Sequence, residues 1–345
     1  MQNDIRRIIK INKIKYVSVF IILLALIFVV AFFSVNMGEM KTSFSEILEV
    51  IQNKLFGVNS NLQESVITII WNIRIPRIIC GCFVGAGLAV SGVIFQGILQ
   101  NTLADPYTLG ISTGASFGAS IAIILNILNG IYFPTTIASL IGAFTTLFLV
   151  IIIARKGNGF ESSNLIIAGI IISSILSSGV SFTKMLSGEN VSAIVFWIMG
   201  SLSAKGWGDV SLIMPTVTIG TIISTLLAKK LDIMALGDDN AKSLGVNADR
   251  VRFIYLIIGS SMTAICVSIC GVIGFIGLIV PHLLRFWITA KNSQLIPLSA
   301  MFGAVLLMVS DNASRIFSSG EIPVGVITTI IGGPFFIFIF TRRKR

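Results

Sequence analysis

The stretch of this chain that comes nearest to nucleotide chemistry is Gly237-Asp-Asp-Asn-Ala-Lys242-Ser243. A Walker A phosphate loop has a glycine directly before its lysine and another at the start of the motif, and this chain has Ala241 and Leu236 at those places. The aspartates after Gly237 would also repel a phosphate group. The sequence therefore predicts no ATP site here, so energy for any uphill process must come from a partner or from an ion gradient.

Other residues that often carry catalysis are sparse. His282 is the only histidine, and a lone histidine beside a proline at a helix end is typical of a hydrogen-bonding structural residue. Cys266 and Cys270 share a helix face, but two thiols without further ligands make a poor zinc site. Cys80 and Cys82 also lie in an apolar run, where a thiol packs as a small hydrophobic group. We expect no catalytic residue, no bound metal and no cofactor.

The composition indicates a membrane protein. Hydrophobic residues make up 54% of the chain and charged residues 12%, with a mean hydropathy of +0.95, whereas about a quarter of the residues of a soluble domain are charged. The net charge of +10 would favour nucleic acid in a soluble protein. Here 18 of the 25 basic residues fall at predicted cytoplasmic helix ends and 7 at external ones, which is the positive-inside asymmetry. We expect membrane lipid, and no nucleic acid, around the chain.

The hydrophobic pattern predicts an all-α polytopic membrane protein with about ten transmembrane helices in a single domain, residues 1–345. The first apolar run, from Tyr16 to Val35, is too long for a signal-peptide core and is interpreted as a retained helix. Basic residues flank both ends of the chain, so both termini are expected in the cytoplasm, with the protein in the cell membrane. Nine further helices are expected at about these positions: 76–100, 108–128, 134–154, 164–185, 210–228, 253–270, a glycine-broken 271–285, 292–314 and 323–340.

Three connecting segments stand out in this arrangement. Residues 36–72 form an external segment in which Ser43-Phe-Ser-Glu46 predicts a capping box opening a short surface helix. Residues 191–200 are too short to cross twice and predict an external re-entrant or interfacial helix. Residues 229–252 form a long charged segment on the cytoplasmic side.

Three tracts carry a resemblance to a known family. The first runs from Arg74-Ile-Pro-Arg77 to Asn101-Thr-Leu-Ala-Asp-Pro106, the second is Gly271-Val-Ile-Gly-Phe-Ile-Gly-Leu-Ile-Val-Pro-His-Leu-Leu-Arg285, and the third runs from Glu321-Ile-Pro-Val-Gly325 to Gly332-Gly-Pro334. In this order they resemble the FecCD-type permeases, the membrane subunits of ABC importers for ferric siderophores, haem and cobalamin. The resemblance extends from about Arg74 to Phe340 and implies a type II ABC importer permease fold without enzymatic activity of its own.

The resemblance also implies partners. A permease of this type pairs with a second copy of itself or with a homologous permease, binds two ABC ATPase subunits on the cytoplasmic side, and receives its cargo from an extracytoplasmic solute-binding protein. A ferric siderophore is the favoured substrate, because it is frequent in the family, and haem or cobalamin is the alternative.

The segment from Leu231 to Val246 carries apolar residues among its charges, which is typical of short helices that dock on another protein, although a plain solvated loop is the alternative. It resembles the cytoplasmic coupling loop of the family, assigned here to residues 229–252. The resemblance implies that five residues mediate ATPase coupling: Leu236, Gly237, Ala241, Leu244 and Gly245.

Two further sets of residues are assigned through the resemblance. Arg74, Arg77 and Arg315 match arginines that meet acidic residues of the binding protein; the alternatives are interfacial snorkelling, or pairing with Asp311 or Glu321. Polar and apolar residues at two inner helix ends match positions of the cytoplasmic gate, and polar groups at helix ends also occur without a gate. These gate residues are Asn101, Leu103, Ser162 and Ser163.

Two other functions are alternatives to a permease. An ion-coupled secondary transporter would place ionisable residues near the middle of the membrane in an inverted repeat, but the acidic residues here fall at predicted helix ends and no repeat is evident. An intramembrane enzyme would need a catalytic pair within the spans, and the sequence offers none. Both are less favoured than a permease.

Overall fold

The computed structural model describes residues 2–38, 42–60, 62–130, 132–156, 160–316 and 322–342. Within these ranges the regular structure is helical and no strand occurs. The α-helices are α1 Gln2–Asn36, α2 Phe44–Phe56, α3 Glu64–Thr68, α4 Ile75–Ile98, α5 Ile111–Asn129, α6 Thr135–Arg155, α7 Ser162–Leu186, α8 Val191–Ile198, α9 Trp207–Leu226, α10 Ala228–Met234, α11 Asp238–Ser243, α12 Ala248–Cys270, α13 Ile276–Trp287, α14 Asn292–Ile316 and α15 Val324–Arg342.

Eight stretches in the described ranges are helical, long and apolar enough to cross a membrane. They are 13–36, 64–98, 111–128, 135–155, 162–186, 207–226, 248–270 and 292–316. Two shorter apolar helical stretches, Ile276–Trp287 and Val324–Ile337, correspond to the predicted eighth and tenth helices. The predicted all-α, multi-pass architecture is confirmed.

Helix α4 forms the centre of the bundle and packs against α9, α12, α13 and α14. Glycines allow the closest of these contacts: a Cβ atom on Gly85 would lie 2.2 Å from the carbonyl oxygen of Gly303 on α14. Helices α5 and α6 meet in the same way, since a Cβ atom on Gly142 would lie 2.2 Å from the carbonyl oxygen of Gly114. Close backbone contact of this kind drives helix association where lipid removes the hydrophobic effect.

The short helix predicted within residues 36–72 is present. Ser43 caps α2 through a complete capping box: its hydroxyl accepts the Glu46 N–H at 3.3 Å, and its own N–H donates to Glu46 Oε2 at 2.7 Å. Buried residues of α2 pack on the stretch that leads into α4, in an apolar cluster of Ile47, Val50, Val66 and Ile70. We call this end of the bundle the outer end, and the end that holds α10, α11 and the turn 99–110 the inner end.

The second transmembrane helix begins earlier than the predicted Pro76. The chain is already helical from Glu64, and a wide π-helical turn, Ile69–Arg74, joins α3 to α4. In this turn the Ile75 N–H donates to the Ile70 carbonyl, five residues back, next to Pro76, which has no N–H to donate. Widening the turn lets the helix pass the proline, so Pro76 lies inside a continuous helical run.

The glycine-broken helix near residue 271 is also present. Residues 271–275 between α12 and α13 are not helical, and Gly271 and Phe275 have φ of +72° and +68°. The Tyr107 hydroxyl donates to the Ile273 carbonyl at 2.8 Å and accepts the Ile273 N–H at 3.2 Å. These bonds satisfy both backbone groups of Ile273, as irregular backbone among membrane helices requires.

Candidate functional site

The inner segment between α9 and α12 presents two leucines to its surroundings. Leu236 and Leu244, just before and just after the short helix α11, are 59% and 60% exposed, whereas Ala241 within it is fully buried. Leu231 and Met234 of α10 are also fully buried. The segment is thus attached to the bundle on one side and carries exposed apolar side chains on the other, as a docking surface does.

Glycines shape both ends of α11. Gly237 and Gly245 have φ of +97° and +77°, and a Cβ atom on either would meet nothing within 4 Å, so backbone conformation alone favours glycine there. After α11 the Val246 N–H donates to the Ala241 carbonyl and the Gly245 N–H to the Lys242 carbonyl, both at 2.9 Å. This is a Schellman motif, and it fixes the direction in which Leu244 projects.

The residues predicted to form the gate lie at the inner ends of α4 and α7. The Asn101 side chain accepts the Leu103 N–H at 2.9 Å and so closes the turn after α4. The Ser162 hydroxyl donates to the carbonyl of Ile98, the last residue of α4, at 3.1 Å. Leu103 and Ser163 are exposed. The structure therefore joins the start of α7 to the end of α4, and the gate assignment itself remains a prediction.

The inner end of α4 also contacts the inner segment. Gln100, which has the left-handed φ of +50°, donates from Nε2 to the Met234 carbonyl at 3.0 Å and to Asp238 Oδ1 at 3.2 Å. A second tie links α10 to α14, because Asp232 Oδ1 accepts the Asn292 N–H at 2.9 Å and its side-chain amide at 2.8 Å. The inner segment is therefore hydrogen-bonded both to the turn that follows α4 and to the start of α14.

The three arginines predicted for the outer face lie together with Asp311 and Asn312 in a set that we call the outer polar cluster. Arg77 donates to both oxygens of Asp311, with its closest contact at 2.8 Å, and Arg315 donates to Asp311 Oδ2 at 2.7 Å. The side chains of Arg77, Arg315 and Asp311 are only 10%, 8% and 4% exposed. The alternative of pairing with Asp311 is thus observed for two of the three arginines, while Glu321 lies outside the described residues.

The outer polar cluster also holds the end of α1. Arg74 donates to the Val35 carbonyl at 2.7 Å and to the Thr42 hydroxyl at 2.9 Å. Arg315 donates to the carbonyls of Ser34 and Met37, both at 3.2 Å. Among the described residues the cluster brings three guanidinium groups around the carboxylate of Asp311. It thereby joins the end of α1 to α14 and to the turn that leads into α4.

A cleft lined by hydroxyl groups runs along α7, and the sequence analysis missed it. It has a volume of about 420 Å³ and is lined by Thr113, Ser173, Ser174, Ser177, Ser178 and Ser181. Several of these serines donate to the carbonyl four residues back, as Ser178 does to Ser174, so the hydroxyl oxygens still offer lone pairs to the cleft. The signal was available: serines recur at helical spacing in an otherwise apolar run.

The chain is similar in sequence to membrane permeases of known import systems. The Fe(3+)-citrate import system permease protein YfmE of Bacillus subtilis is 34% identical over 328 residues, 94% of this chain and 96% of the relative. The cobalamin import system permease protein BtuC of Halobacterium salinarum is 36% identical over 289 residues, 84% of this chain and 76% of the relative.

The comparisons extend to a solved structure and to a whole family. A metal-chelate type ABC transporter in an inward-facing conformation matches with a TM-score of 0.82 and 29% identity, and the match covers 94% of this chain and 99% of that one. A model of the FecCD transport family matches residues 23–342, so the predicted resemblance is confirmed. This multi-pass membrane chain belongs to the FecCD transport family.

Proposed function

We propose that this chain is the permease subunit of an ABC importer that carries a metal chelate into the cell with ATP hydrolysed by partner subunits. The observation that carries the proposal is the inner segment between α9 and α12, which lies within the predicted coupling loop 229–252. It presents Leu236 and Leu244 outward on either side of α11, and Gln100, just after α4, is hydrogen-bonded to it. Such a surface suits a groove on an ATPase, and its ties suit transmission of movement.

The translocation path is proposed to lie between two permeases, either two copies of this chain or this chain and a homologue. The hydroxyl-lined cleft of α7 supports this arrangement, because polar side chains on a membrane helix face protein or water in preference to lipid. Asn101, Leu103, Ser162 and Ser163 would close the inner end of the path.

An extracytoplasmic binding protein is proposed to dock at the outer end. The grouping of the positively charged side chains of Arg74, Arg77 and Arg315 at one end of the bundle supports this assignment, since complementary charge orients partners and raises their rate of encounter. Two ABC ATPase subunits would bind at the inner end, with Leu236, Gly237, Ala241, Leu244 and Gly245 at or beneath the contact.

The proposed topology has both termini in the cytoplasm and one transmembrane domain over residues 1–345, in the cell membrane. Basic residues at the inner helix ends support it. A reporter fused at Leu231 should register as cytoplasmic, and an external location would remove the inner segment from the reach of any cytoplasmic ATPase.

A ferric siderophore is the proposed cargo, with haem or cobalamin as the alternative. A path lined by neutral hydroxyl groups supports a bulky polar chelate, since hydroxyls can both donate to and accept from its oxygen atoms. Fe(3+)-citrate and cobalamin, named for two relatives, are both of this kind.

The deciding experiment is uptake by proteoliposomes that contain the permease with its copurified ATPase and the binding protein outside. We expect uptake of radiolabelled ferric siderophore that needs ATP and the binding protein, with cobalamin and haem as competitors that do not reduce it. Uptake by the permease alone under a proton or sodium gradient would instead establish the ion-coupled transporter. Competition by cobalamin or haem would reassign the cargo.

A further inference from the structure

Arg252 joins three separate parts of the inner end through one guanidinium group. Its Nε donates to the Ile98 carbonyl at 3.0 Å, one terminal nitrogen donates to the Phe160 carbonyl at 2.6 Å, and the other donates to both oxygens of Asp238 at 2.9 and 3.0 Å. The Arg252 side chain is 1% exposed, whereas that of Asp238 is 36% exposed. Arg252 is therefore buried inside the bundle and binds Asp238, which lies at the edge of the bundle.

Each of these contacts belongs to an element with a proposed role. Ile98 ends α4, three residues before Asn101, and Phe160 lies two residues before Ser162. Asp238 is the first residue of α11, in the segment that carries the exposed leucines. One side chain thus connects the proposed docking segment to both halves of the proposed gate.

Two further hydrogen bonds share the same acceptors. The Ser162 hydroxyl donates to the Ile98 carbonyl, which Arg252 also binds, and the Gln100 amide donates to Asp238 Oδ1. These hydrogen bonds form a small network with Arg252 at its centre. Its planar fork can hold the three acceptors at once, which a lysine ammonium on a flexible stem cannot do with the same geometry.

We propose that Arg252 is a positioning residue that transmits movement of the inner segment to the proposed gate, with Asp238 as its attachment point. This inference rests on the proposed function. When a bound ATPase displaces α11, Asp238 must either pull Arg252 with it or leave the buried guanidinium with only the Asp249 carboxylate, which is 3.8 Å away and beyond hydrogen-bond distance. The second outcome is costly, because a buried charge has no water to replace its partner. Displacement is therefore passed to Ile98 and Phe160.

The test compares transport with ATP hydrolysis in the complete transporter of permease, ATPase and binding protein. Asp238→Asn keeps the side-chain shape and removes the charge, and Arg252→Lys keeps the charge and removes the fork. We expect each variant to lower the amount of chelate transported per ATP on the order of tenfold, because weakening a charged hydrogen bond has at least that effect on an equilibrium. ATPase binding and hydrolysis should persist.

Arg155→Lys is the matched control. Arg155 lies at the inner end of α6, and its guanidinium stacks on the rings of Phe160 and Phe253 at 5.1 and 5.9 Å, a contact that lysine can partly retain. Its transport per ATP should equal that of the wild type. The proposal is overturned if Asp238→Asn transports normally, or if its transport and hydrolysis fall in the same proportion. Should Arg252→Lys fail to assemble, Asp238→Asn alone decides.

Spin labels give a second readout that a merely structural role would not change. Cysteines are introduced singly at Ala235 and Thr102, both exposed, in a background without the native cysteines. In otherwise wild-type transporter, ATP should alter the spectra of both labels. In Asp238→Asn, ATP should alter the spectrum of the label at Ala235 and no longer alter that of the label at Thr102. If ATP still alters the Thr102 spectrum as it does in the wild type, the role of Arg252 is refuted. Failure of the proposed function is distinct, since wild-type transport would then not depend on ATP.

Discussion

The two ends of the bundle each bury an arginine against an aspartate, and the surroundings of the two pairs differ. At the outer end Asp311 is 4% exposed and is held by both Arg77 and Arg315 between helices that pack closely along their lengths. At the inner end Asp238 is 36% exposed, belongs to the six-residue helix α11, and has Arg252 as its buried partner. A closed pair ties helices together, whereas a pair with one member at the edge can follow a moving segment.

This difference shows that buried charge alone does not identify a docking residue. The three outer arginines are predicted to meet a partner, with pairing to Asp311 as an alternative, and Asp311 is paired with Arg77 and Arg315 in the structure. The inner arginine, which the sequence analysis passed over, has the contacts expected of a connecting element. Matched variants at the two ends can therefore distinguish an ion pair that fixes helices together from one that moves with a segment.

The largest expected effect is at the inner docking surface. Leu244→Asp places a charge where an apolar contact is proposed, and it should abolish ATP-driven uptake and ATPase copurification while the permease still reaches the membrane. Leu55→Asp is the control from the other end, because Leu55 on α2 is 63% exposed and Leu244 is 60% exposed. Normal uptake by Leu244→Asp would exclude this surface as the ATPase contact.

The next largest effect is on the free energy of unfolding. Removing the carboxylate charge should lower it more at the outer end than at the inner end. Asp311→Asn removes a carboxylate that both Arg77 and Arg315 bind in a closed site, and we expect the free energy of unfolding to fall by about 3 to 5 kcal/mol. Asp238→Asn should cost clearly less, because the Asp238 side chain is 36% exposed and Asp249 remains 3.8 Å from the Arg252 guanidinium. Thermal unfolding of the two purified variants in detergent measures both losses. Equal losses would show that the two pairs are equally closed.

The sequence predicted the helical bundle well, since ten apolar runs with basic inner flanks leave few alternatives in lipid. It also predicted the capping box at Ser43 and the break at Gly271, because both depend on local residue chemistry. It missed the helical start at Glu64, because a π turn carries the chain past Pro76. It could not foresee that Arg252 meets Ile98 and Phe160, 154 and 92 residues away in the chain, because such pairings arise only from packing.

A smaller effect is expected at the turn that opens α11. Gly237 has φ of +97° and ψ of 155°, a conformation that side chains with a Cβ atom rarely adopt. Gly237→Ala should therefore cost about 1 to 3 kcal/mol of local strain and lower uptake several-fold by tilting Leu236 and Asp238. Gly208→Ala in α9 is the control, since a Cβ atom there also meets nothing within 4 Å and its φ is ordinary. Uptake that is unchanged in Gly237→Ala would show that the inner segment tolerates a range of directions.

The smallest effect concerns the positive charge of Arg74 in the outer polar cluster. Arg74 bonds to the Val35 carbonyl and the Thr42 hydroxyl, so Arg74→Gln can keep a hydrogen bond while removing one positive charge. We expect the association rate with the loaded binding protein to fall about twofold at low salt, and the difference from wild type to vanish near 0.5 M salt, where charges are screened beyond about 4 Å. Lys54→Gln on α2 is the control, since it removes a positive charge at the same end but outside the cluster. Should both variants associate at the wild-type rate at every salt concentration, the outer arginines would serve only to hold α1, α4 and α14 together, and the binding protein would have to recognise another part of the outer end.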